Sequence, residues 1–167
     1  MIEAIRDQTE RALWETRNVI VCLDDAGLWD KVYCGAPAWQ HAYHMLHSLD
    51  RWYINPERYQ QPDFHTEGLD NLDLPVSGRL SLKQLLDYHA QISEKLRAYL
   101  RTLTQEQLNE CPEGCAWTRL TLVLAQMRHL HSHMGMLMGF LIAEKERWPS
   151  VLGLTRPIPE GPYELYF

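Results

Sequence analysis

The sequence Met-Arg-His-Leu-His-Ser-His, residues 127–133, places three histidines within five positions near the start of the most apolar segment, residues 120–143. On an α-helix, side chains four positions apart project from one face, so His129 and His133 can reach a common point while His131 points away. Neutral imidazole is a common ligand of divalent metals, and this spacing supplies two such ligands at once. The stretch therefore predicts a helix that carries two metal ligands, and another part of the chain must supply a third.

Candidates for the third ligand lie in residues 39–47, which contain His41, His44 and His47. Histidines spaced three apart spread over roughly 120° of a helix surface. The apolar positions around them mark a core side, and His47 lies closer to that side than His44. The spacing leaves His44 and His47 both open as the third ligand, and it assigns His41 to the surface or to a second layer around the ligands.

Periodicity and capping signals, among them a Ser81-x-x-Gln84 capping box, predict four long helices. Their predicted ranges are Ile2–Ala26, Ala36–Ile54, Ser81–Leu103 and Thr118–Trp148, with a further short helix at Thr104–Glu110. Residues 55–80 form a long loop of the kind used as a lid or a binding loop, and residues 153–167 form an extended tail. No stretch alternates like a strand. We therefore expect an all-α four-helix bundle, in which cofactor sites are built from side chains on facing helices.

The composition favours one folded domain over residues 1–167, with 46% hydrophobic residues. The net charge of −6 and the absence of a basic cluster argue against nucleic-acid binding. Charges in Met1–Asp7 argue against a signal peptide, and the longest uncharged apolar run, Met134–Ala143, has about half of the ~20 residues that span a membrane. A cytoplasmic protein follows as the expectation. The four cysteines are expected to be free thiols, and the segment Cys111–Cys115 a turn.

With the histidine helices in second and fourth place, the chain resembles the DinB family of metal-dependent enzymes, also called the DinB/YfiT-like fold. The second-helix motif of the family is matched by Trp39, His44 and Asp50 with their apolar neighbours, and the fourth-helix motif by Arg128-His129-x-x-x-His133. The resemblance covers nearly the whole chain in helix order and loop lengths. It implies one divalent metal bound by His44, His129 and His133, with open coordination positions, and it favours His44 over His47. The family often has a polar residue soon after the last ligand, where this chain has Met134 and Met136.

Three neutral ligands and an open position are typical of catalytic zinc sites, in which a bound water or thiol loses its proton near neutral pH. The resemblance implies a small-molecule substrate and either a thiol-dependent transfer or isomerisation, with a low-molecular-weight thiol as partner, or a hydrolysis. Zinc and nickel are the first candidates for the metal, and manganese and iron also suit the ligands. No carboxylate lies at a fixed spacing from the histidines that would identify it as a general base. The catalytic residues other than the metal ligands therefore stay unassigned.

Two rival interpretations remain open. One is a non-enzymatic, stress-associated helical module with a structural metal. A metal site that is closed to ligands would favour this module, and a pocket lined by residues 55–80 above an open metal would favour the enzyme. The other is a helical dimer without metal. Small residues at Ser132, Gly135 and Gly139 fit either packing within the chain or a homodimer interface.

The remaining histidines and one arginine receive ordinary interpretations. His65 is expected on the loop surface, with contact to the mouth of the site as the lesser alternative. His89 is expected on an ordinary helix face. Arg128 is expected either beside Asp50 or in solvent.

Overall fold

The computed structural model describes residues 1–76, 78–160 and 165–167, and the chain is mostly helical. Within these residues four long helices follow one another: α1 Ile2–Asp25, α2 Ala38–Trp52, α3 Leu82–Thr102 and α4 Arg119–Lys145. A small antiparallel sheet, β1 Val32–Tyr33 and β2 Ala36–Pro37, lies between α1 and α2, with Val32 paired to Pro37 and Tyr33 to Ala36. Single 3-10 turns occur at Pro56–Arg58 and Gln107–Asn109. The four predicted long helices are therefore present in the predicted order.

The helices pack so that α2 contacts α3 and α4, and α1 contacts the same two helices. Buried apolar side chains from all four helices form one cluster between them. Its largest fully buried members include Tyr43 and Leu46 of α2, Leu13 of α1 and Leu96 of α3. Burial of such side chains is the dominant favourable contribution to folding, and it fixes how α2 faces α4.

The sequence signal for a cap at the start of α3 is confirmed, and a side chain also caps α4. Ser81 accepts a hydrogen bond from the Gln84 backbone N–H, and the Gln84 side chain accepts one from the Ser81 backbone N–H, which completes the predicted capping box. Thr118 caps α4 by accepting a hydrogen bond from the Thr121 backbone N–H. The predicted helix at Thr104–Glu110 is only a 3-10 turn over Gln107–Asn109.

The predicted ends of α2 and α4 are wrong by two or three residues. Ala36 and Pro37 pair with β1 through a tight turn in which Cys34 and Gly35 both have positive φ, so α2 begins at Ala38. The C-terminal end of α4 is Lys145, and the next residue, Glu146, adopts a left-handed conformation ahead of Pro149. The expectation of no strand is corrected by this two-residue pairing.

The long loop and the tail both pack on the helices. The Gln40 amide N–H groups donate to the carbonyl oxygens of Leu69 and Asn71, which holds the loop against α2. The Asn18 amide group of α1 donates to the carbonyl oxygens of Ser150 and Leu165, which lie on two segments joined by the Pro149–Tyr166 bridge. The extended tail was expected over residues 153–167, of which 161–164 lie outside the described residues.

The cysteines are free thiols, as expected, and Cys115 closes a turn by donating its backbone N–H to the Pro112 carbonyl. No helix among the described residues has the length and apolar character needed to cross a membrane. The compartment stays a prediction.

Candidate metal centre

Three imidazoles from two helices converge between α2 and α4. One ring nitrogen each of His44, His129 and His133 lies within 4.8 Å of the other two. The ring centroids are 4.4 Å apart for His129 and His133, 4.6 Å for His44 and His133, and 5.4 Å for His44 and His129. Two ligands held about 2.0–2.1 Å from a tetrahedral ion lie roughly 3.3–3.4 Å apart, so small side-chain adjustments would bring all three nitrogens onto one ion. The structure thus brings together the three residues predicted as ligands.

Two ring nitrogens in this group are buried and have no partner among the described residues. Nδ1 of His129 and Nδ1 of His133 make no hydrogen bond there, although buried polar atoms almost always have one. Burial lowers the pKa of His129, and burial together with the nearby His44 and His129 lowers the pKa of His133 to about 4. Both rings are therefore neutral near pH 7, which is the form that binds a metal. An unpaired buried nitrogen in a neutral ring fits a cation as its missing partner.

His44 is oriented by the long loop. Its Nδ1–H donates to the backbone carbonyl oxygen of Asp70 at 2.7 Å, which leaves Nε2 as the nitrogen that can bind an ion. Metal-binding histidines usually donate their second N–H to a protein oxygen in this way, because it fixes the tautomer and the ring orientation. Sequence reasoning missed Asp70, whose only signal is its place in an Asp-rich and Asn-rich loop.

His47, the alternative third ligand, belongs to a different group. Its side chain is 3% exposed, so the expectation that it lies nearer the core than His44 is confirmed. Its Nδ1 lies 3.5 Å from the Asp70 carboxylate, and its Nε2–H donates to the Gln61 side-chain oxygen at 2.7 Å. His65 Nε2 lies 3.9 Å from the other carboxylate oxygen of Asp70, and His65 and His47 stack at 5.1 Å. His65 therefore lies with His47 and Asp70 and does not line the groove beside the centre, and His47 does not join the three-histidine group.

The other histidines have partners of their own. His41 is buried, and its Nε2–H donates to the Tyr33 carbonyl oxygen at 2.6 Å, so of its two expected positions the one on the surface is wrong. His89 is a buried core residue, not a surface histidine, and its Nε2–H donates to the Leu13 carbonyl oxygen at 2.9 Å. His131 is exposed and points away from the centre, as predicted. None of the three contributes a nitrogen to the centre.

Of the two positions expected for Arg128, the one beside Asp50 is wrong and the one in solvent is confirmed. The Asp50 carboxylate accepts hydrogen bonds from the Lys95 ammonium at 2.5 Å and from the Tyr88 hydroxyl at 2.9 Å. Arg128 is exposed on α4, one position before His129. Its charge faces solvent next to the histidine group.

A groove of about 580 Å³ opens beside the histidine centre. It is lined by Ser48, Trp52, Trp117, Thr121, Leu122, Ala125, Gln126, Arg128 and His129. The two indole rings meet edge to face at 6.0 Å. All of these residues belong to α2, to α4 or to the segment just before α4. None of them lies in residues 55–80, so this groove is not the loop-lined pocket that would oppose the structural module.

The small residues of α4 lie on a surface that the described residues leave uncovered. Ser132, Gly135 and Gly139 are exposed, and a methyl group added at either glycine would meet no atom of the described residues within 4 Å. Packing against the described part of the chain therefore does not explain these small residues. The homodimer remains a prediction.

Comparison with known proteins gives no relative from which a function could be transferred. A scan against family models, a search of curated proteins and a search of solved structures each found no match. The resemblance to the DinB family therefore depends on the motifs around His44 and His129–His133 and on the helix order. The function has to be argued from the site itself.

Proposed function

We propose that this protein is a metal-dependent enzyme of the DinB/YfiT-like type, a four-helix bundle that holds one divalent ion between α2 and α4. The ligands are His44, His129 and His133, and the reaction is a thiol-dependent transfer or a hydrolysis on a small molecule. The observation that carries the proposal is the convergence of three imidazoles beside an open groove, with two buried ring nitrogens that lack a partner in the described part of the chain. Zinc or nickel is the preferred ion, and manganese and iron suit the same ligands.

The donor set supports an enzyme over a structural metal module. Structural zinc sites usually have four protein ligands, whereas this group offers three and includes neither a thiolate nor a carboxylate. Three neutral ligands leave the charge of a divalent ion uncompensated, and such an ion lowers the pKa of a coordinated thiol or water towards neutrality. A protein that needed the ion only for stability would gain nothing from that charge.

The chain's own residues orient the ligands and offer a binding surface. The Asp70 carbonyl fixes the His44 ring, and the neutral state of His129 and His133 keeps their lone pairs available at pH 7. In the groove, Trp52 and Trp117 supply apolar faces, since indole rings bury large areas at low entropic cost.

Polar groups in the same groove indicate the substrate class. Ser48 and Gln126 form a hydrogen bond of 3.3 Å to each other, and both can turn to a ligand. The Arg128 guanidinium is placed to pair with a carboxylate. A small substrate or thiol with an apolar part and an anionic group fits these features.

Cobalt substitution tests the proposal, because thiolate coordination adds an intense sulfur-to-metal charge-transfer band that nitrogen and oxygen ligands lack. The Asp70 carboxylate, together with His47 and His65, could also bind cobalt, so the titration uses Asp70→Asn, which removes that carboxylate and leaves the His44 hydrogen bond to the backbone in place. This protein is loaded with one equivalent of cobalt and titrated with cysteine and with azide. We expect the charge-transfer band with cysteine and a changed ligand-field spectrum with azide. The same protein with His129→Ala should bind no cobalt.

An unchanged spectrum with both probes would mean that no coordination position is open to ligands. The protein would then be assigned as a structural metal-binding module and not as an enzyme. His131→Ala provides the matched control, since it removes an exposed histidine of the same helix and should leave every spectrum unaltered.

A further inference from the structure

We propose a second divalent-metal site, formed by Nδ1 of His47, Nε2 of His65 and the carboxylate of Asp70. One ligand atom from each of these side chains lies within 4.8 Å of the others. His47 comes from α2, while His65 and Asp70 come from the long loop. The site goes beyond the three-histidine centre and does not depend on it.

The distances in this group suit a shared ion better than a shared proton. A charge-assisted hydrogen bond between an imidazolium and a carboxylate is about 2.7–2.9 Å long. Here the nitrogen–oxygen distances are 3.5 Å for His47 and 3.9 Å for His65. Two ligands of one tetrahedral ion lie roughly 3.3–3.4 Å apart. The His47–Asp70 distance therefore matches two ligands around one ion, and the His65 distance needs only a small adjustment.

The hydrogen bonds of the two histidines leave the required nitrogens free. His47 donates Nε2–H to the Gln61 side-chain oxygen, so in the neutral ring its Nδ1 carries a lone pair that faces the Asp70 carboxylate. His65 Nδ1 lies 2.6 Å from the Tyr43 hydroxyl oxygen, to which it can donate while Nε2 stays free. Each ring thus has one nitrogen held by a protein oxygen and the other directed at the same carboxylate, as is usual for metal-bound histidines.

Without a cation, this arrangement brings electron-rich atoms together in a largely buried place. The His47 ring is 3% exposed, and a positively charged ring there would lose most of its hydration. The Asp70 side chain is 33% exposed, so an ion can enter from its side. Two neutral nitrogens and one carboxylate suit a first-row divalent ion and leave it with one net positive charge.

Such an ion would tie residues 55–80 to α2. Its ligand Asp70 also accepts the His44 Nδ1–H through its backbone carbonyl. Binding at the second site would therefore hold the carbonyl that orients a ligand of the first. This gives the long loop a structural role next to the ligand His44.

Metal stoichiometry tests the inference. Apoprotein dialysed against zinc and analysed by mass spectrometry for the element should bind about two equivalents. His65→Ala and Asp70→Asn should each bind about one, and Asp70→Asn keeps the backbone carbonyl that holds His44. The controls His131→Ala and Asp73→Asn remove an exposed histidine and an exposed carboxylate of the same loop, and they should still bind about two. Circular dichroism of each variant establishes that the helices are intact.

A double variant, His129→Ala with His133→Ala, separates this inference from the proposed function. It should keep about one equivalent, lose it when Asp70→Asn is added, and show zinc-dependent protection of residues 55–80 from proteolysis. If the wild type binds one equivalent and the double variant none, the second site is overturned and the three-histidine centre stands. If the one equivalent survives in the double variant and is lost in Asp70→Asn, the second site stands and the proposed function fails.

Discussion

Replacing His89 by Gln should make the protein markedly less sensitive to acid. His89 lies on α3, and burial lowers its pKa from 6.5 to about 4. Its ring stays neutral in the folded protein and donates Nε2–H to the Leu13 carbonyl oxygen. Gln offers an N–H donor at a similar distance from the backbone but does not titrate. The variant therefore removes the protonation and keeps the means of making the hydrogen bond.

The expected magnitude follows from the two pKa values. Between pH 6.5 and about 4 the unfolded chain binds a proton at His89 that the folded protein does not, so the contribution to stability is fully present above pH 6.5 and is lost as the pH falls towards 4. At a pH of about 4.5 this difference amounts to about 2.5 kcal/mol. Such a loss is a large fraction of the stability of a domain this size.

Urea unfolding of metal-free wild type and His89→Gln at pH values of about 7.5 and 4.5 measures the effect. The loss of unfolding free energy between the two conditions should be smaller in the variant by about 2.5 kcal/mol. Other histidines with lowered pKa contribute equally to both proteins and cancel in this comparison. His131→Gln, on the exposed face of α4, should behave like the wild type. An equal loss of stability in wild type and His89→Gln would refute the reasoning.

Three further predictions concern the centre, the core and the assembly. In protein that carries Asp70→Asn, the added change His129→Ala should abolish stoichiometric metal binding, whereas His131→Ala should retain it. Elemental analysis of protein purified without a histidine tag measures the bound metal. Equal loss in both variants would contradict the argument that residues four apart share a helix face. Leu46→Ala removes a side chain with no solvent exposure and should lower the unfolding free energy by about 2–5 kcal/mol in urea, so a loss under about 1 kcal/mol would show that the site is not tightly packed. The open surface at Gly135 predicts a homodimer, so light scattering at micromolar concentration should give about twice 19.6 kDa, and a monomer mass would dispose of it.

The predicted helices agree with the structure where contacts between near neighbours decide the outcome. Ser81 and Gln84 cap α3 across three residues, and Thr118 and Thr121 do the same at α4. The predictions of helix ends fail where a partner from elsewhere competes. Ala36 and Pro37 leave the predicted second helix because they pair with Tyr33 and Val32, and two residues are too few to leave an alternating pattern in the sequence.

The sequence by itself determined that His129 and His133 share a face, because the helix repeat alone sets that relation. Helix geometry could not choose between His44 and His47, since the two lie on neighbouring parts of one helix surface. Tertiary packing separates them: His44 turns towards α4, and His47 turns towards the loop. The hydrogen bond between Asp70 and His44 likewise depends on the tertiary structure, because the two residues are 26 positions apart in the sequence. The acceptor is a backbone carbonyl, which every residue type has, so the identity of the residue at position 70 gives no signal for this bond.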